Sequence, residues 1–499
     1  MTGFVLFFQQ LTSLLTPEVI ILMVVSSTLG IVIGALPGLT ATMGIALLTG
    51  LTFKATEVQS FTILMGIYVG AIYGGSISAI LVNVPGTASA AATCLEGHKI
   101  ALRGEAEFAI KATRTASIIG TIIGMFALLF ITPILTKVAL MFTSPEYFML
   151  ALFGILICGS IGTADLTVKG WIAGLLGLFF ATMGQEDIFS VQRFMYGNSN
   201  LIGGIQIIPA MIGFYAVPEV IKALAHKDKV KMKITKLGKD RIKIPMWPIM
   251  KKSFRVIVQS SLIGVGIGAL PGVGEDVAAW LSYSTAKKTS KHPEEYGTGS
   301  YEGAIAPEVG NNAAIGGAMI PLLTLAVPGS PPAAVLLGAL MLHGIRPGPM
   351  LMTETPYFIY QICALIFLAT IAMWIIGILI ARPMSSILKI HSAYLMPVVA
   401  ALSIIGAYAI NLNYFDLGVV FVFGVMGYFL DKMAYSPAPI VLGLILGKMV
   451  DTNFRRTLIV SDGNFLPFIT RPIALVFLII IVFTIVKQSI AMKKSDTTT

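Results

Sequence analysis

Four proline-glycine pairs hold the chemistry open to this sequence: Pro37-Gly38, Pro85-Gly86, Pro271-Gly272 and Pro328-Gly329. Proline removes a backbone donor and clashes with the carbonyl one turn back. Glycine accepts the non-helical turn that follows. Set in apolar stretches, each pair predicts that a membrane helix stops within or near the bilayer. Unwound backbone survives there only when buried in protein or lining a polar cavity. The helix that restarts after each stop offers free amides and the positive end of its dipole, which favour an anion.

The residues after the breaks suit a carboxylate. Thr40 and Thr42, Thr87 and Ser89, and Ser330 bring hydroxyls that donate hydrogen bonds without carrying charge into the membrane. With them, Gly38, Asn83, Pro85, Gly86, Gly272, Gly274, Pro328 and Gly329 form the predicted substrate-binding set. Freed carbonyl oxygens near the breaks, at Gly34 and Gly268, are ligands for a hard cation such as sodium. Glu275 and Asp276 either ligate that cation or cap the next half-helix. Segment 303–330 adds Glu308, Asn311 and Asn312 in an apolar run, where polar groups are functional candidates by default. The two asparagines offer donors and acceptors. They can hold substrate, Asn312 can ligate a cation, or both can hydrogen-bond an interrupted helix.

The elements that position these groups are membrane helices. Of 499 residues, 56% are hydrophobic and 12% charged, with mean hydropathy +0.87. A soluble chain carries about 25% charged residues. Apolar segments at 18–36, 58–84, 115–135, 146–161, 168–183, 254–270, 303–327, 358–381, 392–411, 415–430 and 472–486 predict an all-α polytopic membrane protein. Roughly ten to twelve membrane segments are expected, the broken or re-entrant helices included.

An internal repeat organises them. SSTLGIVIGALPG at Ser26–Gly38 and SSLIGVGIGALPG at Ser260–Gly272 are identical at nine of 13 positions. Asn83-Val84-Pro85-Gly86-Thr87 is matched downstream by Ala326-Val327-Pro328-Gly329-Ser330, and His98-Lys99-Ile100 by His343-Gly344-Ile345. The copies span 18–215 and 250–450, separated by a basic loop at 216–255 and followed by a membrane segment and tail at 451–499. Ten Lys and Arg between Lys227 and Lys252 face only Asp228 and Asp240, which assigns this loop to the cytoplasm. Lys487, Lys493 and Lys494 put the C-terminus on the same side, and the uncharged N-terminus outside. That asymmetry predicts inverted copies.

Other residues point elsewhere. No basic n-region of a signal peptide precedes Glu18. Gly30-x-x-x-Gly34 and Gly264-x-x-x-Gly268 read as packing faces. His98 and His343 read as interfacial polar residues, and Lys99, Arg103, Lys111 and Arg114 as inside-facing anchors. Cys94, Cys158 and Cys363 read as small buried hydrophobes. The net charge of +10 reflects topology and implies no nucleic-acid partner.

Two runs carry a family resemblance. GALPGVGEDVAAW with GSYEGAIAPEVGNNAAIGGAMIPLLTLAVPGSPPAAVLLGALMLHGIRPGP is similar to the large (TctA-type) membrane subunit of bacterial tripartite tricarboxylate transporters, as are GALPGLTATMGIALL and YGGSISAILVNVPGTASAAATCLEGH. Two departures stand out: Gly310 where Ala is usual, and Ala326-Val327 where Gly-Ile is usual. The resemblance implies an inner-membrane permease, not an enzyme, without a resident cofactor. It also implies a cation gradient, generally Na+, as driving force, and citrate or a related carboxylate as solute. The implied partners are an extracytoplasmic solute-binding protein and a small four-span membrane subunit. A passive anion channel and an intramembrane enzyme are the competing classes. Zinc-protease and hydrolase motifs and a P-loop are absent from the sequence.

Overall fold

The computed structural model describes residues 2–159, 164–225, 245–388 and 392–496. Lys227, Lys229, Lys231, Lys233, Lys236, Lys239, Arg241 and Lys243 of the basic loop lie outside these residues. The first part of the chain forms α1 (Thr2–Leu14), α2 (Pro17–Ala35), α3 (Ala41–Leu51), α4 (Glu57–Val82), α5 (Ala91–Ile100), α6 (Ala106–Ala139), α7 (Ser144–Gly159), α8 (Ala164–Ala181) and α9 (Ile207–Ala225). The second forms α10 (Met246–Lys252), α11 (Phe254–Gly268), α12 (Gly274–Thr289), α13 (Tyr301–Leu325), α14 (Pro331–Leu342), α15 (Leu351–Glu354), α16 (Phe358–Ile387), α17 (Ser392–Asn411), α18 (Tyr414–Lys432), α19 (Pro437–Val460), α20 (Pro467–Thr470) and α21 (Pro472–Asp496). Strand among the described residues is confined to an antiparallel pair, β1 (Gly184–Gln185) and β2 (Gln192–Arg193).

Among the described residues, eight helices are long and apolar enough to cross a membrane, and six more apolar helices are shorter. The short ones include α3, α11 and α14, which adjoin the breaks. The proline-glycine pairs at 37–38, 85–86, 271–272 and 328–329 each follow the end of a helix: α2 stops at Ala35, α4 at Val82, α11 at Gly268 and α13 at Leu325. A fifth pair, Pro347-Gly348, lies in the loop after α14. Several prolines without a following glycine are accommodated within helices instead. Pro133, Pro218, Pro307, Pro321, Pro383 and Pro397 all lie inside helices. A departure from the sequence reading is Gly104, whose φ of 89° kinks the chain between α5 and α6.

The two breaks of each half are built alike and pack on each other. Asn83 and Ala326 end α4 and α13 with the same left-handed conformation, φ 56° and ψ 29°. That conformation costs an alanine roughly 1–2 kcal/mol, so the surrounding packing must hold it. A Cβ on Gly86 would overlap the carbonyl of Gly34, and one on Gly329 the carbonyl of Gly268. The unwound segments are therefore buried against protein backbone, the condition under which such segments survive within a membrane.

Close glycine contacts also set the directions of the helices. Gly30 abuts Ile67 and Gly34 abuts Ala71, so α2 and α4 run the same way. Gly264 abuts Gly310 and Gly268 abuts Ala314, so α11 and α13 do too. Between halves the order reverses. Tyr68 in α4 reaches Ser330, beyond the end of α13, whereas Thr93, beyond the end of α4, reaches Glu308 near the start of α13. The long helix after each second break crosses over: α6 packs along α13 through Gly120 and Gly124, and α16 along α4 through Phe358 and Gly377. The centre is α13, buried at every residue from Gly303 to Leu325.

This packing is testable. Gly86→Ala and Gly329→Ala must displace backbone and should each lower stability by roughly 1–3 kcal/mol or more. Gly266→Ala, where a Cβ meets nothing within 4 Å, should be neutral or better. Thermal unfolding of the purified protein in detergent measures the difference.

Candidate functional site

A cavity of about 400 Å³ lies where the breaks of both halves meet. Its wall includes Thr40, Ala41 and Thr42 at the start of α3, Thr87, Ala88 and Ser89 in the turn before α5, Glu275 and Asp276 in the first turn of α12, and Pro331 and Pro332 at the start of α14. Pro437 and Ala438 add the start of α19. Each helix N-terminus contributes roughly half a positive charge. Their convergence adds positive partial charge to a wall that also carries Lys222 and four carboxylates.

Capping accounts for part of the amides. Thr40 Oγ1 accepts from Met43 N at 3.1 Å, and Ser330 Oγ from Ala333 N at 3.3 Å. The turn at Ala88–Ala90 and the start of α12 have no side-chain cap. The Thr87 and Ser89 hydroxyls lie 3.1 Å apart. Proline at 331 has no amide to satisfy and pre-sets the helical φ, which suits a first-turn position.

Carboxylates share this wall. Glu275 is buried and accepts a hydrogen bond from the Tyr68 hydroxyl, which also lies 3.1 Å from Ser330 Oγ. Asp276 is open to the cavity. On the side formed by α9 and α18, Lys222 bridges Glu219 and Asp431, each at 2.8 Å. Four carboxylates therefore face one lysine, and that lysine is already paired. An anionic solute cannot settle beside Glu275 and Asp276 unless a cation accompanies it or the dipole ends outweigh the repulsion.

The structure thus brings Thr40, Thr42, Thr87, Ser89, Glu275 and Asp276 to one cavity. Other predicted residues form the scaffold behind it. Gly272 N donates to Pro328 O at 3.1 Å and Gly274 N to Gly329 O at 3.0 Å, which ties the two breaks of the second half together. Gly34, Gly86, Gly268 and Gly329 pack backbone to backbone. Asn83 and Pro85 belong to the turn that precedes Thr87, and Ser330 works as a cap and as a partner of Tyr68. Gly38 (φ 90°) abuts Glu219, whose Oε2 would lie 3.4 Å from a Cβ there.

Asn311 and Asn312 are in a different place. They are fully buried and outside the cavity wall, in a polar layer shared by α13 and α6. Asn312 Nδ2 donates to Glu308 O at 2.9 Å and to Asn311 Oδ1 at 2.7 Å, and its Oδ1 accepts from Thr121 at 3.3 Å. Asn311 Nδ2 has no hydrogen-bond partner among the described residues.

Glu219, Lys222 and Asp431 also line the cavity, Tyr68 stands behind its wall as the partner of Glu275, and all four are absent from the predicted set. Glu219 carried a signal, being an acid in the apolar run 207–225, and so did Asp431 at the end of another. Tyr68 carried none, since a tyrosine in an apolar stretch reads as core. A second cavity of about 560 Å³ reaches Ala326 and is lined by Arg346 and Lys448 without any Asp or Glu.

Comparison with known proteins adds an independent line. The family described as "Tripartite tricarboxylate transporter TctA family" matches residues 20–442. An uncharacterized 52.8 kDa protein from the TAR-I ttuC' 3' region of Agrobacterium vitis is 36% identical over 465 residues, which is 92% of this chain and 91% of that one. An uncharacterized protein from the TAR-II ttuC' 3' region of the same organism is 38% identical over 208 residues, 42% of this chain and 86% of its own. No solved structure matches.

Tyr68 is the contact to test here. Tyr68→Phe leaves buried Glu275 without its donor and should destabilise the protein by roughly 1–3 kcal/mol. Thermal unfolding should show the loss in the single variant and a smaller one in Tyr68→Phe combined with Glu275→Gln.

Proposed function

Because this chain belongs to the tripartite tricarboxylate transporter TctA family, and so is a multi-pass membrane subunit of such a transporter, we propose that it imports a small carboxylate by cation-coupled alternating access. The solute is citrate or a related organic anion, received from an extracytoplasmic solute-binding protein. A small four-span membrane subunit completes the complex in the bacterial inner membrane. One observation carries this reading: the starts of α3, α12 and α14 and the turn before α5 line one cavity. Backbone dipoles and hydroxyls there suit a carboxylate, and they belong to elements that two rocking halves would bring together or part.

The acids of the cavity favour coupling. Glu275 and Asp276 beside a carboxylate solute call for a cation, and Na+ bound with the solute meets that need. The opposite directions of α4 and α13 support inverted copies. Lys99 and Arg103 donate to the carbonyls of Gly297 and Gly299, in the loop that follows Lys287 and Lys288. Gathering these cations at one end supports a cytoplasmic assignment for that end.

The test is uptake of radiolabelled citrate into proteoliposomes that hold both membrane subunits and are supplied with the binding protein. A hydrogen bond to a charged group is worth roughly 1.5–3 kcal/mol, so Thr42→Val and Ser89→Ala should each cut uptake about tenfold or more. Both variants should insert normally. Unchanged uptake in both would remove the cavity as the site. Uptake that ignores the sodium gradient would remove the coupling, and a steady conductance without counter-ion dependence would favour a channel.

A further inference from the structure

Two carboxylates, Glu96 and Glu308, are fully buried outside the cavity wall, and they are satisfied in opposite ways. Glu96 in α5 accepts from the backbone amides of Gly297, Gly299 and Ser300 and from the Tyr283 hydroxyl, at 2.7 Å for Gly299 and for Tyr283 and 2.8 Å for Ser300. Amides can only donate, so this nest stabilises a fixed negative charge and locks α5 to the loop before α13. Glu308 in α13 has no amide donor and no ion pair among the described residues. Its partners are hydroxyls: Thr93 on α5, and Ser117 on α6 at 3.1 Å. Ser76 on α4 is wholly buried beside the same carboxylate, and its hydroxyl makes no hydrogen bond of good geometry.

Hydroxyls differ from amides in one decisive respect. Each has two acceptor lone pairs and a proton that can turn away. The groups that now donate to Glu308 can therefore become oxygen ligands beside it. Arg114 on α6 lies with Tyr73 against Gly377, and among the described residues its Nε has no hydrogen-bond partner and it forms no ion pair with Glu308. A single carboxylate in a water-free membrane interior, without a paired cation, calls for charge compensation.

We propose that Glu308, with the hydroxyls of Ser76, Thr93 and Ser117, forms a binding site for a dehydrated monovalent cation, Na+, at the junction of α4, α5, α6 and α13. Four oxygen-bearing side chains from four helices exceed what a proton needs, since one acceptor suffices for a carboxylic acid. They suit a small hard cation that takes several oxygen ligands. Thr121 and Asn312 repeat the Ser117 and Glu308 pairing one turn further along the same two helices, so they hold α6 and α13 in register above the site.

The role of this site in coupling rests on the transport reading. Thr93 is four residues after Ser89 of the carboxylate cavity, and Ser76 is eight residues after Tyr68, which holds Glu275. Occupancy of the cation site thus fixes both elements that reach the cavity. Release would leave Glu308 uncompensated between helices of opposite halves.

The experiment measures binding of radioactive sodium to the purified full chain without any carboxylate, at constant ionic strength set by choline chloride. Saturable binding is expected in the natural protein. Glu308→Gln should abolish it, and Ser117→Ala and Ser76→Ala should weaken it about tenfold. Glu275→Gln with Asp276→Asn should retain it. Glu308→Asp should keep measurable, weaker binding, which separates ligation from folding, and all variants should remain monodisperse. Binding unchanged in Glu308→Gln, absent in the natural protein, or lost only in the Glu275 and Asp276 variant would overturn the proposal. Because no solute is present, failure of carboxylate uptake in the natural protein leaves this result intact and sinks only the transport reading.

Discussion

The structure depends on one constraint: unwound backbone inside a bilayer must be covered by other backbone. Each half meets it by folding its second break onto its first, Gly86 on Gly34 and Gly329 on Gly268. Only glycine permits that approach, and only a helix end supplies the exposed amides that follow. The same contacts that solve the hydrogen-bonding problem also bring the starts of α3, α12 and α14 and the turn before α5 to one cavity. The candidate site is a consequence of how the breaks are buried.

Around that point the protein handles its buried carboxylates by position. Glu96 is held by amides and ties one half to the other. Glu275 is held by Tyr68, which also contacts Ser330, so the acid is linked to the cap of α14. Glu308 is held by hydroxyls alone. These three arrangements give three degrees of permanence: amides fix a charge, a phenol shares it, and hydroxyls leave it free to take a cation. The Lys222 bridge between Glu219 and Asp431 is a fourth arrangement, at the side of the cavity formed by α9 and α18.

The crossing of the halves gives these local features a common frame. Because α6 packs along α13 and α16 along α4, neither long central helix belongs to one half alone. A shift of α5, which carries Thr93 and continues from Ser89, is felt both at the cavity and at Glu308. Long-range coupling then needs no relay through many side chains, only the rigidity of short helices whose ends touch two sites.

Much of this was legible in the sequence. The all-α membrane class followed from composition, since so few charges cannot clothe a soluble surface. The four breaks followed from proline with glycine, whose steric effects act within one turn. The hydroxyls of Thr40, Thr42, Thr87 and Ser89 followed from their place after each break, because a helix start exposes its first residues wherever it lies. Tertiary structure decided the rest. Asn311 and Asn312, which by residue type suit a substrate, a cation or an interrupted helix equally, lie outside the cavity wall, and Asn312 meets Thr121 of α6, since helical periodicity without a known neighbour does not say which side meets a cavity. Tyr68 joined Glu275 across more than two hundred residues of sequence, and no local pattern can register such a pairing. Glu308 and Glu96 look alike as acids in apolar surroundings. Only the packed structure shows which of them meets amides and which meets hydroxyls, because partners contributed by other helices are set by packing and not by spacing along the chain.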